Sequence, residues 1–137
     1  MPLLQRLSEE QAVDPRVREV FQNMQQAVGA VPEPLKLLAV SPGLFQLQTA
    51  IIGFYRDHKA LSPELLASIR YASASHFGNR PCILFNASLL TRQGMTDEEL
   101  ETVKTCPLEA PLEAQDQAML AFVLSAVQGA TATEEEM

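Results

Sequence analysis

Residues 62–100 read SPELLASIRYASASHFGNRPCILFNASLLTRQGMTDEEL and contain several signals of helix starts and ends. Ser62 followed by Pro63 predicts a helix start, because serine caps the first free N–H groups and proline fits the first helical position. The run YASASHFGN at residues 71–79 is rich in small residues, which suggests a helix packed closely against others. Gly78 and Asn79 interrupt the pattern, so this helix is expected to end in a tight break.

A second helix is predicted directly after the break, over about residues 80–93, with Gly94 as the residue after its end. It carries a lone cysteine, Cys82, in its first turn. Thr96 and Glu99 have the spacing of a capping box, in which each side chain bonds the backbone N–H of the other residue. A further short helix is therefore expected to begin there.

Helix starts of the same kind occur earlier in the chain, in the Asp-Pro pair at residues 14–15 and the Ser-Pro pair at residues 41–42. Residues 32–38, between these two helices, are expected to form a loop with a short apolar turn. A last long helix is predicted over about residues 113–127. No segment alternates apolar and polar residues with the period of two that is typical of a strand. The predicted fold class is therefore all-α, a bundle of about six helices.

The helix that follows Pro42 carries more apolar residues than one face can hold. Its main apolar stripe has three- and four-residue spacing and consists of Leu44, Leu47, Ile51, Phe54 and Tyr55. Phe45 and Ile52 fall off this stripe. Because small helical units often bury leftover apolar faces between subunits, residues 44–55 are a candidate interface of a homo-oligomer.

The length of 137 residues suits one domain over residues 1–137. A net charge of −7 without a Lys/Arg cluster argues against nucleic acid and anionic membrane surfaces as partners. No apolar run approaches the length of a membrane span, and the N-terminus lacks a secretory signal, so a soluble cytoplasmic protein is expected. The three glutamates after Thr133 are interpreted as part of a solvated acidic tail over residues 130–137.

The two cysteines, Cys82 and Cys106, lie far apart in the sequence, and free thiols are expected rather than a disulfide. Two cysteines and two histidines without close spacing give no metal-site pattern, and no cofactor is indicated. At a helix start, the unpaired N–H groups and the nearby Arg80 favour a thiolate at Cys82. An isolated cysteine is also often a small buried hydrophobe, so both interpretations of Cys82 stay open.

From about residue 31 to residue 127 the chain resembles the alkylhydroperoxidase D-like, or carboxymuconolactone decarboxylase-like, family of all-α proteins. Four pieces carry the resemblance: VPEPLKLLAVSPGLF, LSPELLASIRYASASHFGN, the cysteine-bearing helix that ends at Gly94, and MTDEELETVK. The resemblance implies a helical bundle assembled as a symmetric trimer or hexamer. It also implies hydroperoxide reduction, the peroxiredoxin type of activity, with a small-molecule substrate and a thiol reductant as possible partners.

Redox-active members of this family carry a Cys-x-x-Cys pair, a histidine four residues after it and a glutamate in the preceding helix. With Gly94 as the point of registration, the second cysteine corresponds to Cys82. The first cysteine corresponds to Asn79, the histidine to Asn86 and the glutamate to Ala67. Three of the four groups that the resemblance implies are therefore absent from this chain.

The missing groups have chemical consequences. With Asn79 in the position of the first cysteine, no intramolecular disulfide can form with Cys82. Ala67 and Asn86 cannot relay a proton at neutral pH. Asn79 has a structural interpretation as the N-cap that accepts from the Cys82 N–H. His76, six residues before Cys82, is either a substitute base or a capping or surface group at a helix end.

Three functions stay open from the sequence. The first is a weak or inactive peroxidase that uses Cys82 alone with an external thiol. The second is a non-catalytic oligomeric relative that binds a small ligand or serves a structural role. The third is a lyase of the carboxymuconolactone decarboxylase type, for which the chain offers no clear set of polar residues.

Overall fold

The computed structural model of the protein describes residues 14–129. Within this range the chain forms seven α-helices, one 3-10 turn and no strand, which confirms the predicted all-α class. The chain divides between Asp57 and His58 into two compact units, each described by itself below. The single domain over residues 1–137 stays a prediction, and the proposed acidic tail lies outside the described residues.

The first unit contains α1 (Pro15–Val28), α2 (Glu33–Leu38) and α3 (Pro42–Arg56). Asp14 caps α1 as predicted, since its carboxylate accepts from the Arg16 N–H at 2.9 Å. The expectation of an apolar turn at residues 32–38 was wrong, because this segment forms the short helix α2. Its proline lies in the first turn, where the missing N–H has no cost, and this extra helix makes the count seven rather than six.

The core of the first unit forms where α1, α2 and α3 meet. Its buried residues are Val17, Phe21, Leu35, Ala39 and Phe45. The Phe21 and Phe45 rings meet edge to face with their centres 5.6 Å apart, an arrangement that aromatic pairs prefer.

The prediction of which apolar face of α3 is buried was wrong. Phe45, predicted to fall off the main stripe and face other subunits, is buried, and Ile52 packs against the same core. The main stripe is instead exposed, at Leu44, Leu47, Ile51, Phe54 and Tyr55. Spacing identifies an apolar face, but the partner helix decides which of two apolar faces is covered.

The second unit contains four helices and the 3-10 turn Pro107–Glu109. The helices are α4 (Pro63–His76), α5 (Arg80–Arg92), α6 (Asp97–Thr105) and α7 (Ala114–Val127). Helix α4 is central, since it packs against α5, α6 and α7. No helix within residues 14–129 is long and apolar enough to cross a membrane.

Side-chain hydrogen bonds cap the first turns of α4 and α6 in the second unit. The Ser62 hydroxyl accepts from the Leu65 N–H at 3.0 Å and donates to the Asp116 carboxylate on α7 at 2.6 Å. At α6 the capping box is complete, because Thr96 accepts from the Glu99 N–H and Glu99 accepts from the Thr96 N–H. These bonds satisfy N–H groups that the helices themselves cannot use.

The core of the second unit forms between α4 and its neighbours. Its members include Leu65, Ala67, Tyr71, Ala72, Leu90, Val103 and Leu120. The small side chains on α4 let α5 approach, as the sequence predicted. Gly78 makes the break between the two helices with a φ of 69°, a left-handed conformation that glycine adopts at little cost.

Candidate functional site

Cys82 is the third residue of α5 and is partly buried. Asn79 is the N-cap residue, and its side-chain oxygen accepts from the Cys82 N–H at 3.3 Å. This confirms the predicted cap. Pro81, which has no N–H, stands between them in the first turn, so the cap acts on the cysteine's own backbone.

Asn86 lies one turn further along α5 and is buried, with 3% of its surface exposed. Its amide nitrogen donates to the Cys82 carbonyl oxygen at 2.8 Å. The side chain therefore folds back along its own helix toward the cysteine. Its amide oxygen has no hydrogen-bond partner within residues 14–129. The interior beside α5 thus holds a neutral amide with one hydrogen-bonded and one unpaired polar atom within residues 14–129.

Ala67 and Ser68 lie side by side on α4 and are both buried. A carboxylate at position 67 would need a partner to offset its desolvation, whereas the alanine methyl group needs none. The Ser68 hydroxyl has no hydrogen-bond partner in the described part of the chain. Sequence reasoning missed Ser68, which lies before the run of small residues at 71–79.

His76 is the last residue of α4, and its side chain is exposed. Its ring meets the exposed Phe77 ring edge to face, with the centres 5.0 Å apart. His76 is therefore an exposed residue at a helix end, which agrees with one of the two interpretations of its sequence position. Its role as a substitute base stays a prediction.

The two cysteines are both free thiols, as predicted. Cys106 is exposed at the C-cap of α6, whereas Cys82 lies in the first turn of α5. Arg80, the predicted neighbouring cation, is the first residue of α5 and is exposed. The positive end of the helix dipole and this cation both lie at the end of the helix that carries Cys82.

Tyr71 has a structural place on α4. Its side chain is 7% exposed, and the Lys104 ammonium group lies 5.7 Å from the centre of its ring. A hydrogen bond to Glu101, followed in importance by partial burial that acts in the opposite direction, leaves the pKa of Lys104 raised. This cation over an aromatic ring joins α6 to α4.

The place of Cys82 in the first turn of α5 permits one kind of chemistry. A thiol in the first turn of a helix can act as a nucleophile, because the helix end favours its thiolate. The side chains at positions 67, 79 and 86 carry no thiol, carboxylate or imidazole. No group of three or more His, Cys, Asp and Glu side chains within residues 14–129 is placed to hold a metal ion.

Known proteins give no further guide to this site. Comparisons of the chain with protein-family models, with curated proteins and with solved structures found no match.

Proposed function

We propose that this protein is a divergent alkylhydroperoxidase D-like protein in which peroxide reduction rests on Cys82 alone and is slow. One observation carries the proposal: Cys82 is a free, partly accessible thiol at the third position of α5. Its substrate class is a small hydroperoxide and its reductant an external thiol of the cytoplasm. The protein is proposed to act as a homo-oligomer, a trimer or a hexamer.

The first step of the proposed reaction is attack of the Cys82 thiolate on the terminal oxygen of the hydroperoxide. The S–O bond forms as the O–O bond breaks, which gives a sulfenic acid on Cys82 and an alkoxide that takes a proton from water. An external thiol then condenses with the sulfenic acid to a mixed disulfide and releases water. A second external thiol attacks this disulfide and returns Cys82 to its reduced form.

The absence of an acid or base beside the thiol makes this reaction slow. Ala67 and Asn86 stand where the resembled family has a glutamate and a histidine, and neither side chain can deliver a proton to the leaving alkoxide. General acid–base assistance contributes roughly 10²–10⁴-fold to a rate, so we expect turnover lower by about that factor than in two-cysteine members.

The test is peroxide consumption by the purified protein with a small dithiol as the reductant, combined with mass spectrometry after one equivalent of peroxide. We expect one added oxygen at Cys82 and slow turnover that Cys82→Ser abolishes. Cys106→Ser is the matched control, since Cys106 is the other free thiol and is the more exposed one. Equal turnover by the Cys82→Ser variant and the wild type would contradict the proposal.

A second candidate function is a non-catalytic relative that binds a small ligand or serves a structural role. The burial of Asn86 favours it, because the side chain at the former histidine position bonds its own helix and has an amide oxygen without a partner in residues 14–129. A Cys82 thiol that resists oxidation by stoichiometric peroxide would select this function over the first.

A further inference from the structure

Helix α5 exposes one side that carries a cation at each end, which we call the α5 face. It is formed by Arg80, Leu84, Ser88 and Arg92, all of which are exposed. Steps of four residues place these side chains along one side of the helix. A rise of 1.5 Å per residue separates the two arginines by about 18 Å along the helix axis. The α5 face therefore presents two positive charges at a fixed spacing, with an apolar side chain between them.

The two arginines of the α5 face pair with no carboxylate within residues 14–129. By contrast, Arg16, Arg56 and Lys104 each pair with a neighbouring Asp or Glu. Residues 65–96 contain three arginines and no Asp or Glu, although the chain has 17 acidic residues among its 137. The α5 face is therefore a local region of uncompensated positive charge on an acidic protein.

We propose that the α5 face binds an acidic helix of a separate protein, with one carboxylate of that helix at each arginine and an apolar side chain against Leu84. An arginine can bind a carboxylate through two parallel hydrogen bonds, so each end of the face holds one Asp or Glu. The partner needs two acidic residues about twelve positions apart, because both helices rise equally per residue. Phe77, which is 71% exposed and lies three residues before Arg80, adds a second apolar contact.

The distribution of charge favours an acidic helix over other occupants. A nucleic acid presents a continuous row of phosphates, whereas this face offers two cations about 18 Å apart in a protein with a net charge of −7. Two copies of the face would bring arginine against arginine in either orientation. Helices that lie on membranes need a broad apolar side, and the large apolar residue exposed on α5 is Leu84 alone.

The opposite side of α5 holds the helix in place. Asn86 and Leu90 are buried there, and Ile83 and Leu89 pack against the core of the second unit. The spacing of the two arginines is therefore fixed by a helix that is already packed on its other side. Substitutions on the α5 face change the surface of the protein and leave this core intact, so they can test binding without unfolding the chain.

The first test titrates the full chain with a synthetic helical peptide that has two glutamates twelve residues apart and leucine between them. The matched peptide has glutamine in place of both glutamates, and fluorescence anisotropy of the labelled peptides measures binding. We expect the acidic peptide to bind about tenfold more tightly than the glutamine peptide at low salt. Added salt should reduce this difference, because exposed charges are screened. Equal binding of the two peptides, or no binding at about 1 mM peptide, would overturn the proposal.

The second test locates the binding surface with matched variants. Arg92→Gln and Leu84→Ser should each weaken binding of the acidic peptide by about threefold. Arg70→Gln is the control for charge, since Arg70 is an exposed arginine on α4 that pairs with no carboxylate within residues 14–129. Leu108→Ser is the control for Leu84, because these leucines are 64% and 61% exposed. Circular dichroism checks that all four variants fold.

Both controls should bind the acidic peptide as the wild type does. An equal loss in Arg70→Gln and Arg92→Gln would mean that net charge alone sets the affinity, and it would overturn the proposal. Equal losses in the two leucine variants would do the same. The titrations can be repeated in a Cys82→Ser chain, which lacks the thiol of the proposed reaction. A failure of the α5 face would therefore leave that reaction standing, and a failure of the reaction would leave the α5 face standing.

Discussion

Asn86 contributes one satisfied and one unsatisfied polar group to the interior beside α4. Its amide nitrogen donates to the Cys82 carbonyl oxygen, while its amide oxygen has no partner among residues 14–129. A buried acceptor without a donor costs about 1–3 kcal/mol, more than a typical net hydrogen bond contributes. The residue at this position therefore lowers stability unless a ligand supplies the missing donor.

We expect Asn86→Leu to raise the free energy of unfolding by about 1 kcal/mol, because leucine has a similar size and leaves no unpaired acceptor. Urea unfolding followed by circular dichroism measures this change. Asn79→Ala should have the opposite sign, since it removes the cap on the Cys82 N–H and costs about 1 kcal/mol. A loss of stability in Asn86→Leu would show that its amide oxygen has a partner in the folded protein.

Asp14 gives a pH-dependent prediction at the start of α1. Side-chain hydrogen bonds from Arg16 hold the pKa of Asp14 at about 2, below its ordinary value of 3.8. A folded-state pKa below the unfolded one gives stability that is fully present above pH 3.8 and is lost as the pH falls toward 2. The Arg16 side chain that makes the pair is exposed, so the contribution is small.

We expect Arg16→Gln to raise the pKa of Asp14 toward its ordinary value, as measured by NMR titration of the side-chain carboxyl carbon. Asp57 is the internal control, because its pKa is lowered by a hydrogen bond from Arg56 and not from Arg16. An unchanged Asp14 titration in the variant would mean that the cap bond to the backbone, rather than the guanidinium, sets its pKa.

At the scale of the element, α3 and α4 begin with the same Ser-Pro pair but differ in how the serine acts. The Ser62 hydroxyl caps α4 and donates to Asp116 on α7. Ser41 makes no side-chain cap bond to α3. Sequence predicts a helix start at both sites, and it predicts both correctly, but it does not reveal which hydroxyl joins two helices.

We expect Ser62→Ala to lower the free energy of unfolding by about 2 kcal/mol, because it removes a cap and a bond to a carboxylate. Ser41→Ala, the matched control, should change it by less than about 0.5 kcal/mol. Thermal or urea unfolding of both variants measures the difference. Equal losses in the two variants would contradict the role assigned to the bond between Ser62 and Asp116.

At the scale of the whole molecule, the proposed homo-oligomer links stability to protein concentration. An association that only the folded state can make raises the melting temperature as the protein becomes more concentrated. We expect this rise for the wild type. Calorimetry or fluorimetry at several concentrations measures it. A wild-type melting temperature independent of concentration would contradict the proposed homo-oligomer.

Most helix starts and ends could be predicted from local sequence signals. The starts at Pro15, Pro42 and Pro63 and the capping box at Thr96 all lie where the sequence predicts them. The cap of Asn79 on Cys82 is of the same kind. These features depend on residues within one turn of each other, so the local chain contains the atoms that form them.

Which surfaces are covered depends on the tertiary structure and could not be predicted from local signals. It buried Phe45 and exposed Leu47, the reverse of the expected pattern. It also turned residues 33–38 into a helix, because Leu35 completes the core beside α1 and α3. Burial depends on partners that are distant in the sequence. The sequence of a helix with two apolar faces therefore does not predict which face will be buried. The burial of the Asn86 amide likewise depends on the packing around its helix.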